Sequence, residues 1–284
     1  MGLNDLAQAG QSDKTTTPRG SVLTDARSSQ PVLNIDPDTD IGGAQHRFPE
    51  TNQSAIVRAR STDQVVRQRA FETILANYWK PVYKYIRFKW HTSNEDAKDL
   101  TQGFFANAFE KNHFATYDAA KASFQTFLRT CLDGFIANER KAGARLKRGG
   151  AFEHFQFDFV SAEDEFASHA VAVNLNPEEY FHREWVRWMF TLALEALRRR
   201  CEESGKGIHF QLFERYDLAD DGAENVSYAS LGREFGLEPA TVNNYLAAVR
   251  RDFRRIVIEK LREITATEEE FRNEARSLLG VEVK

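Results

Sequence analysis

The segment SYASLGREFGLEPATVNNYLAAVRRDFRRI, residues 227–256, decides how this chain folds. It fits two helices joined by a tight turn. Leu231, Phe235, Leu237, Val242 and Leu246 recur at spacings that gather them into a small apolar core. Gly232 permits close approach of the two helices, and Gly236 supplies the turn. The second helix begins near Pro239, a residue suited to a first helical turn. In a helix-turn-helix, residues at this start reach base edges in a major groove. Here they are Thr241, Asn243 and Asn244; all can hydrogen-bond, and asparagine can pair bidentately with adenine. Arg250, Arg251, Arg254 and Arg255 follow on the same helix and suit phosphates.

Outward from this segment the pattern stays helical. The helix from Pro239 runs to about Ile264, and an amphipathic stretch over 267–279 carries Phe271, Ala275, Leu278 and Leu279. Upstream, Ile208 to Tyr216 reads as a short helix and Asp220-Asp221-Gly222 as a turn. Asn176-Pro177-Glu178-Glu179 is a strong helix start, with a cap residue, a first-turn proline and two acids. Segment 151–176 reads as irregular, with Phe155, Phe157 and Phe159 alternating as in a short extended piece. A long helix spans 123–142, a loop 114–122, and a helix 92–110. Segment 63–90 reads as two helices, the second starting at Pro81. Residues 1–50 hold fourteen hydrophobic residues and one aromatic, Phe48, and read as a disordered tail. No strand pattern and no internal repeat stands out, so the expected fold is all-α.

The charges are segregated. The formal net charge is −4. Residues 136–150 nevertheless hold five basic residues and one acid, and residues 241–262 six basic residues and two acids. Residues 151–184 hold eight acids against Arg183. Two basic patches thus flank an acidic connector, and nucleic acid responds to the field of one face rather than to the total.

Composition narrows the classes. At 42% hydrophobic and 28% charged, the chain can bury a core. Two cysteines, Cys131 and Cys201, cannot form a disulfide scaffold or a four-thiolate zinc site, and read as small buried hydrophobes. No apolar run approaches the roughly 18 residues of a membrane span. The start, MGLNDLAQAGQSDK, lacks a signal-peptide pattern. No Ser/His/Asp or Cys/His arrangement accompanies the carboxylates at Glu95, Asp96 and Asp99, so no catalytic chemistry is expected. The 22 phenylalanines, against 2 methionines, fit a core and also fit stacking on unpaired bases.

Two further stretches carry a resemblance. DAKDLTQGFFANAFEK (96–111) and SFQTFLRTCLDGFIANERKAGARLKRGG (123–150), taken with the helix-turn-helix, resemble regions 2 and 4 of bacterial RNA polymerase sigma factors. With only a short connector between them, the chain looks like the extracytoplasmic-function (ECF) group, in a subgroup with a C-terminal extension. The resemblance covers roughly residues 64–280.

The resemblance implies a fold of two helical bodies joined by an acidic linker. The divisions are a tail over 1–55, a region 2-like body over 63–148, a linker over 149–176, a region 4-like body over 177–264 and an extension over 265–284. It implies that Asp96, Asp99, Gln102 and Phe105 face the clamp helices of the polymerase largest subunit. Gly103 stands where the family often has an acid. It implies −10 strand capture by Tyr117, Phe127, Asn138, Arg140, Lys141, Arg145, Lys147 and Arg148. Phe127 stands where many members carry tryptophan, and Asn138 where many carry aspartate. Of the aromatics there, Phe124 is placed in the core with Leu128, Cys131 and Phe135, and Phe127 at the edge of that face. Reading of a −35 element falls to Thr241, Asn243, Asn244, Arg250, Arg251 and Arg254. The implied partners are core RNA polymerase, promoter DNA and an anti-sigma factor or other regulator, in the cytoplasm, with no cofactor or metal. The competing expectation is a helix-turn-helix regulator that acts without polymerase.

Overall fold

A computed structural model describes residues 54–142, 157–168, 175–219 and 226–280. The regular elements among them are all helical, as the periodicity predicts. They are α1 (Ala55–Arg58), α2 (Gln64–Trp90), α3 (Asn94–Glu110), a 3-10 turn (His113–Thr116), α4 (Phe124–Ala142), α5 (Phe159–Ser168), α6 (Pro177–Glu203), α7 (Gly207–Asp217), α8 (Tyr228–Phe235), α9 (Pro239–Ile264) and α10 (Glu268–Leu279). Residues 1–53 of the expected tail, and the expected turn at 220–222, lie outside the described residues. Ile56, next to the expected tail boundary, is fully buried in α1.

Helix starts follow local chemistry. The Asp63 carboxylate accepts the Val65 and Val66 N–H groups at 2.8 and 3.2 Å. Ser93 accepts from the Asp96 N–H, and Asn176 from the Glu179 N–H, each relieving an orphan donor of a first turn. His91 ends α2 in the left-handed region.

Pro81 does not start a new helix; it lies inside α2, which runs unbroken through it. An internal proline costs about 3 kcal/mol or more. The stretch around it buries Tyr78, Trp79, Val82, Tyr83, Tyr85 and Ile86. Burial of a large apolar side chain returns about 1.5–3 kcal/mol each, so packing outweighs the broken turn.

The two expected bodies share one core. All of the helices fall in one compact unit, and α6 packs along α2 more extensively than any other pair. Trp185 lies parallel to Tyr78 at 6.3 Å, Phe181 meets Tyr85 edge-on at 5.5 Å, and Tyr180 stacks on Phe88 at 4.0 Å. Phenylalanines fill the rest: Phe71 touches Phe105, Phe109 and Phe114, and Phe124 touches Tyr78, Phe114 and Tyr117.

The expected irregular linker contains α5. Phe159 and Ala162, three apart, are buried, which gives a helical rather than an extended period. Phe157 and Phe159 both pack edge-on against Trp79; Phe155 lies outside the described residues. The acids of α5 meet the cations of α2. Glu165 pairs with Lys80 at 2.6 Å and Lys84 at 2.7 Å, and Glu163 pairs with Arg87 at 2.6 Å. Burial alone would raise the Glu165 carboxyl, but the two ammonium groups outweigh it and hold it low. Glu184 of α6 completes the set, 2.9 Å from Lys84, with side chains only 2% and 4% exposed.

Removing one partner of a buried pair strands a charge, at a cost of about 3–5 kcal/mol. Lys84→Met is expected to destabilise the fold by that amount in urea unfolding. The double variant Lys84→Met/Glu184→Met is expected to recover most of the loss. Equal losses in single and double variants would show that charge pairing is not what holds α6 on α2.

Candidate nucleic-acid interface

The helix-turn-helix is built as its sequence indicates. Ser227 and Ser230 form a reciprocal cap at the start of α8. Leu231, Val242 and Leu246 are fully buried, with Phe235 and Leu237 half-buried at the turn. A Cβ on Gly232 would sit 2.5 Å from the Leu237 carbonyl oxygen, so only glycine permits this crossing. Gly236 turns the chain at φ 66°, and the Leu237 N–H donates to the Gly232 carbonyl at 2.8 Å. The angle between α8 and α9 is therefore fixed by backbone contact.

On α9, Asn243 and Asn244 are exposed and Thr241 is half-buried. Asn244, Arg251 and Arg255 lie seven and four residues apart, which puts them on one outward stripe. Arg251 has no acidic partner among the described residues, and Arg255 pairs with Asp252 within its own helix at 2.5 Å. Arg254 is half-buried beside this stripe.

Arg250 departs from the expected phosphate role. Its guanidinium grips Asp217 of α7 in a forked contact of 2.8 to 3.2 Å, and the Asp217 side chain is 2% exposed. Burial pushes the Asp217 carboxyl up, and Arg250 opposes that shift. Arg250, one residue before Arg251, points about 100° round the helix from the outward stripe and serves as a structural tie between α9 and α7. A second tie lies at the other end of α7, where the His209 ring stacks on Tyr245 at 4.0 Å. Burial lowers the His209 pKa and Lys206 adds to the effect, favouring the neutral ring in the stack.

The second candidate patch lies at the end of α4. Asn138, Arg140 and Lys141 are exposed there; Arg145, Lys147 and Arg148 lie outside the described residues. Phe127 is half-buried, 5.3 Å from Tyr117 and 6.0 Å from Phe124, at the edge of the core as its spacing indicates. The inward face of α4 is Phe124, Leu128, Leu132 and Ile136, all fully buried, while Cys131 and Phe135 are half-buried. Tyr117 is not available for base stacking. It is 2% exposed, its hydroxyl donates to the Ala122 carbonyl at 3.0 Å, and its carbonyl accepts from Arg60. Trp90, which the sequence reading missed, lies beside this patch. The Arg140 guanidinium sits 4.6 Å over its ring and donates to its carbonyl at 2.9 Å. The sequence signal was Lys89-Trp90 at a helix end, an aromatic among cations.

On α3, Asp96 is exposed and its carboxylate accepts from the Ser93 hydroxyl at 2.8 Å. Asp99 and Gln102 have no side-chain partner among the described residues, and with Asp96 they follow a three-residue spacing along one side of the helix. Phe105 cannot face a partner protein: it is fully buried, 5.2 Å from Phe104 and 6.3 Å from Phe71.

No family model, curated protein or solved structure matches the chain. Among the described residues no helix is long and apolar enough to cross a membrane. Among the same residues, no group of three or more His, Cys, Asp or Glu side chains could hold a metal ion.

The two kinds of arginine on α9 separate in one measurement. Arg251→Ala/Arg255→Ala is expected to weaken duplex DNA binding. It should also flatten the dependence of log affinity on log salt by roughly one unit per arginine. Arg250→Ala is expected to lower the melting temperature and leave that slope unchanged. A reduced slope in Arg250→Ala would restore it to the phosphate-contacting set.

Proposed function

We propose that this chain is a transcription initiation factor of the ECF sigma type, acting in the cytoplasm on core RNA polymerase and promoter DNA. The observation that carries the reading is the rigid helix-turn-helix, whose second helix turns Asn244, Arg251 and Arg255 outward. Amide side chains at the start of such a helix can read base edges, and arginines further on can hold the backbone. Thr241 and Asn243 extend the reading edge, and Arg254 flanks it.

The remaining roles follow from the sequence resemblance and the exposed chemistry. Asp96, Asp99 and Gln102 offer a polar edge of α3 to the polymerase. Asn138, Arg140 and Lys141 continue into the basic segment that holds Arg145, Lys147 and Arg148. That patch would hold the backbone of a separated strand, with Phe127 as the stacking aromatic. Unstacking a base costs a few kcal/mol, and an aromatic platform returns about 1–3 kcal/mol per base. Strand opening is therefore driven by binding energy, with no covalent chemistry by this chain and no cofactor. An anti-sigma factor or similar regulator would control access to these faces.

A helix-turn-helix regulator that works without polymerase would use the same α9 surface. The burial of Phe105 and Tyr117 favours it, because each loses a contact that the initiation factor would use.

The two readings part in one experiment. Purified chain mixed with core polymerase is expected to co-elute with it and to support promoter-specific transcription. Duplex binding without co-elution would establish the regulator instead. For an initiation factor, Asp99→Ala/Gln102→Ala is expected to reduce co-elution roughly tenfold or more while leaving duplex binding intact.

A further inference from the structure

The C-terminal helix α10 seats two carboxylates on the start of α4. Glu270 and Glu274 are four residues apart and so share one face of α10. The Glu270 carboxylate accepts the Phe124 N–H at 3.0 Å and the Ala266 N–H at 2.8 Å, and the Tyr117 hydroxyl stands 3.5 Å away. Phe124 is the first residue of α4, so Glu270 acts as its cap from another helix. Glu274 is served less well. Its one donor among the described residues is the Gln125 amide, at 3.2 Å. Gln125 is itself buried, and its carbonyl faces His182 Nδ1 of α6 at 3.2 Å. The apolar face of the same helix is sunk into the core through Phe271, Ala275 and Leu279, with the Arg262 guanidinium of α9 3.9 Å over the Phe271 ring.

We propose that α10 is a proton-sensitive brace between α9 and α4, in which Glu270 positions the start of α4 and the charge on Glu274 decides how firmly the brace is seated. The geometry sets two like charges side by side under cover, with donors enough for one of them. Burial, and then the neighbouring Glu270, push the Glu274 carboxyl from its ordinary 4.5 up to about 7. The groups that face this pair are Glu270 from α10, Tyr117 before α4, Tyr78 of α2 and, through Gln125, His182 of α6. Tyr78 is pushed upward first by burial and then by both carboxylates, and Tyr117 first by burial and then by Glu270, so both stay neutral. Burial lowers the His182 pKa, so it brings no compensating cation near neutrality.

The direction follows from linkage. A carboxyl whose pKa is raised in the seated state favours that state most below its free value. The contribution falls as pH rises from about 4.5 and is lost on passing about 7. Seating therefore weakens on the alkaline side. Under the proposed function, on which this role rests, loosening would free the start of the strand-capturing helix and uncouple it from the duplex-reading helix.

Hydrogen exchange of the full chain tests the brace without DNA. Protection of α10 and the first turn of α4, corrected for intrinsic exchange, is expected to fall roughly tenfold or more between about pH 5.5 and about pH 8. Glu274→Gln, which is isosteric and uncharged, should remain protected throughout. In Glu270→Gln the fall should move to lower pH, because a carboxylate relieved of a like charge titrates lower; the midpoint read from the Glu274 carboxyl by NMR should drop with it. Equal pH dependence in wild type and Glu274→Gln, or none in wild type, would overturn the brace. A fluorescein-labelled single-stranded oligonucleotide separates the two readings. If protection responds to pH as expected but strand affinity is the same in wild type and Glu274→Gln at about pH 8, the brace stands and strand capture by α4 fails.

Discussion

Lys84 holds its ammonium group where water does not reach, between Glu184 of α6 and Glu165 of α5. A lone buried charge is costly, so the residues that answer it cannot be placed freely. α6 must arrive along α2 in a register that turns Glu184 inward, and α5 must cross the same stretch to bring Glu165. A shift of one residue along α6 would rotate Glu184 by about 100° and leave the ammonium unanswered. Once α6 is set, the Tyr180, Phe181 and Trp185 contacts fall into place. The helices packed against α6, α7 and α9, are placed by the same register.

The sequence was most legible where local chemistry decides the structure. Gly236 and Pro239 marked the turn and the helix that follows it, and Asn176-Pro177 marked the start of α6, because caps and turns depend on near neighbours. It was least legible where a distant partner decides. Nothing near Arg250 indicates that Asp217, 33 residues away, will hold it. Nothing near Tyr117 indicates the helix that covers it, 153 residues further on. Pro81 read as a helix start because the surrounding burial that overrides it comes from other elements. The acids of α5 read as a solvated connector because their partners lie on α2. On α4 the apolar face was read correctly at Phe124 and Leu128 but drifted at Cys131 and Phe135, where Leu132 and Ile136 turn inward instead. Cys131, Leu132, Phe135 and Ile136 are all apolar, so period alone did not separate them.

The near-neutral net charge is a property of the sequence, but the structure decides which charges are paired. Two acids of the connector, Glu163 and Glu165, are answered by α2 cations, and Arg250 is answered by Asp217. On α9, with Arg250 turned to Asp217 and Arg255 paired with Asp252, Arg251 still faces outward with no acidic partner among the described residues. A protein can in this way be close to neutral and still present one face with a strong preference for anions.

The cap on α4 has a consequence for how the chain is made. Glu270 follows Phe124 by 146 residues. A ribosome adds about 5–20 residues per second, so α4 leaves it on the order of ten seconds before Glu270 exists. During that interval the Ser123 hydroxyl can already accept the Thr126 N–H, but the Phe124 N–H is open to water or to any passing acceptor. Completion of this helix therefore belongs to the last stage of synthesis, and the order in which the fold closes runs from the end of the chain back to its middle.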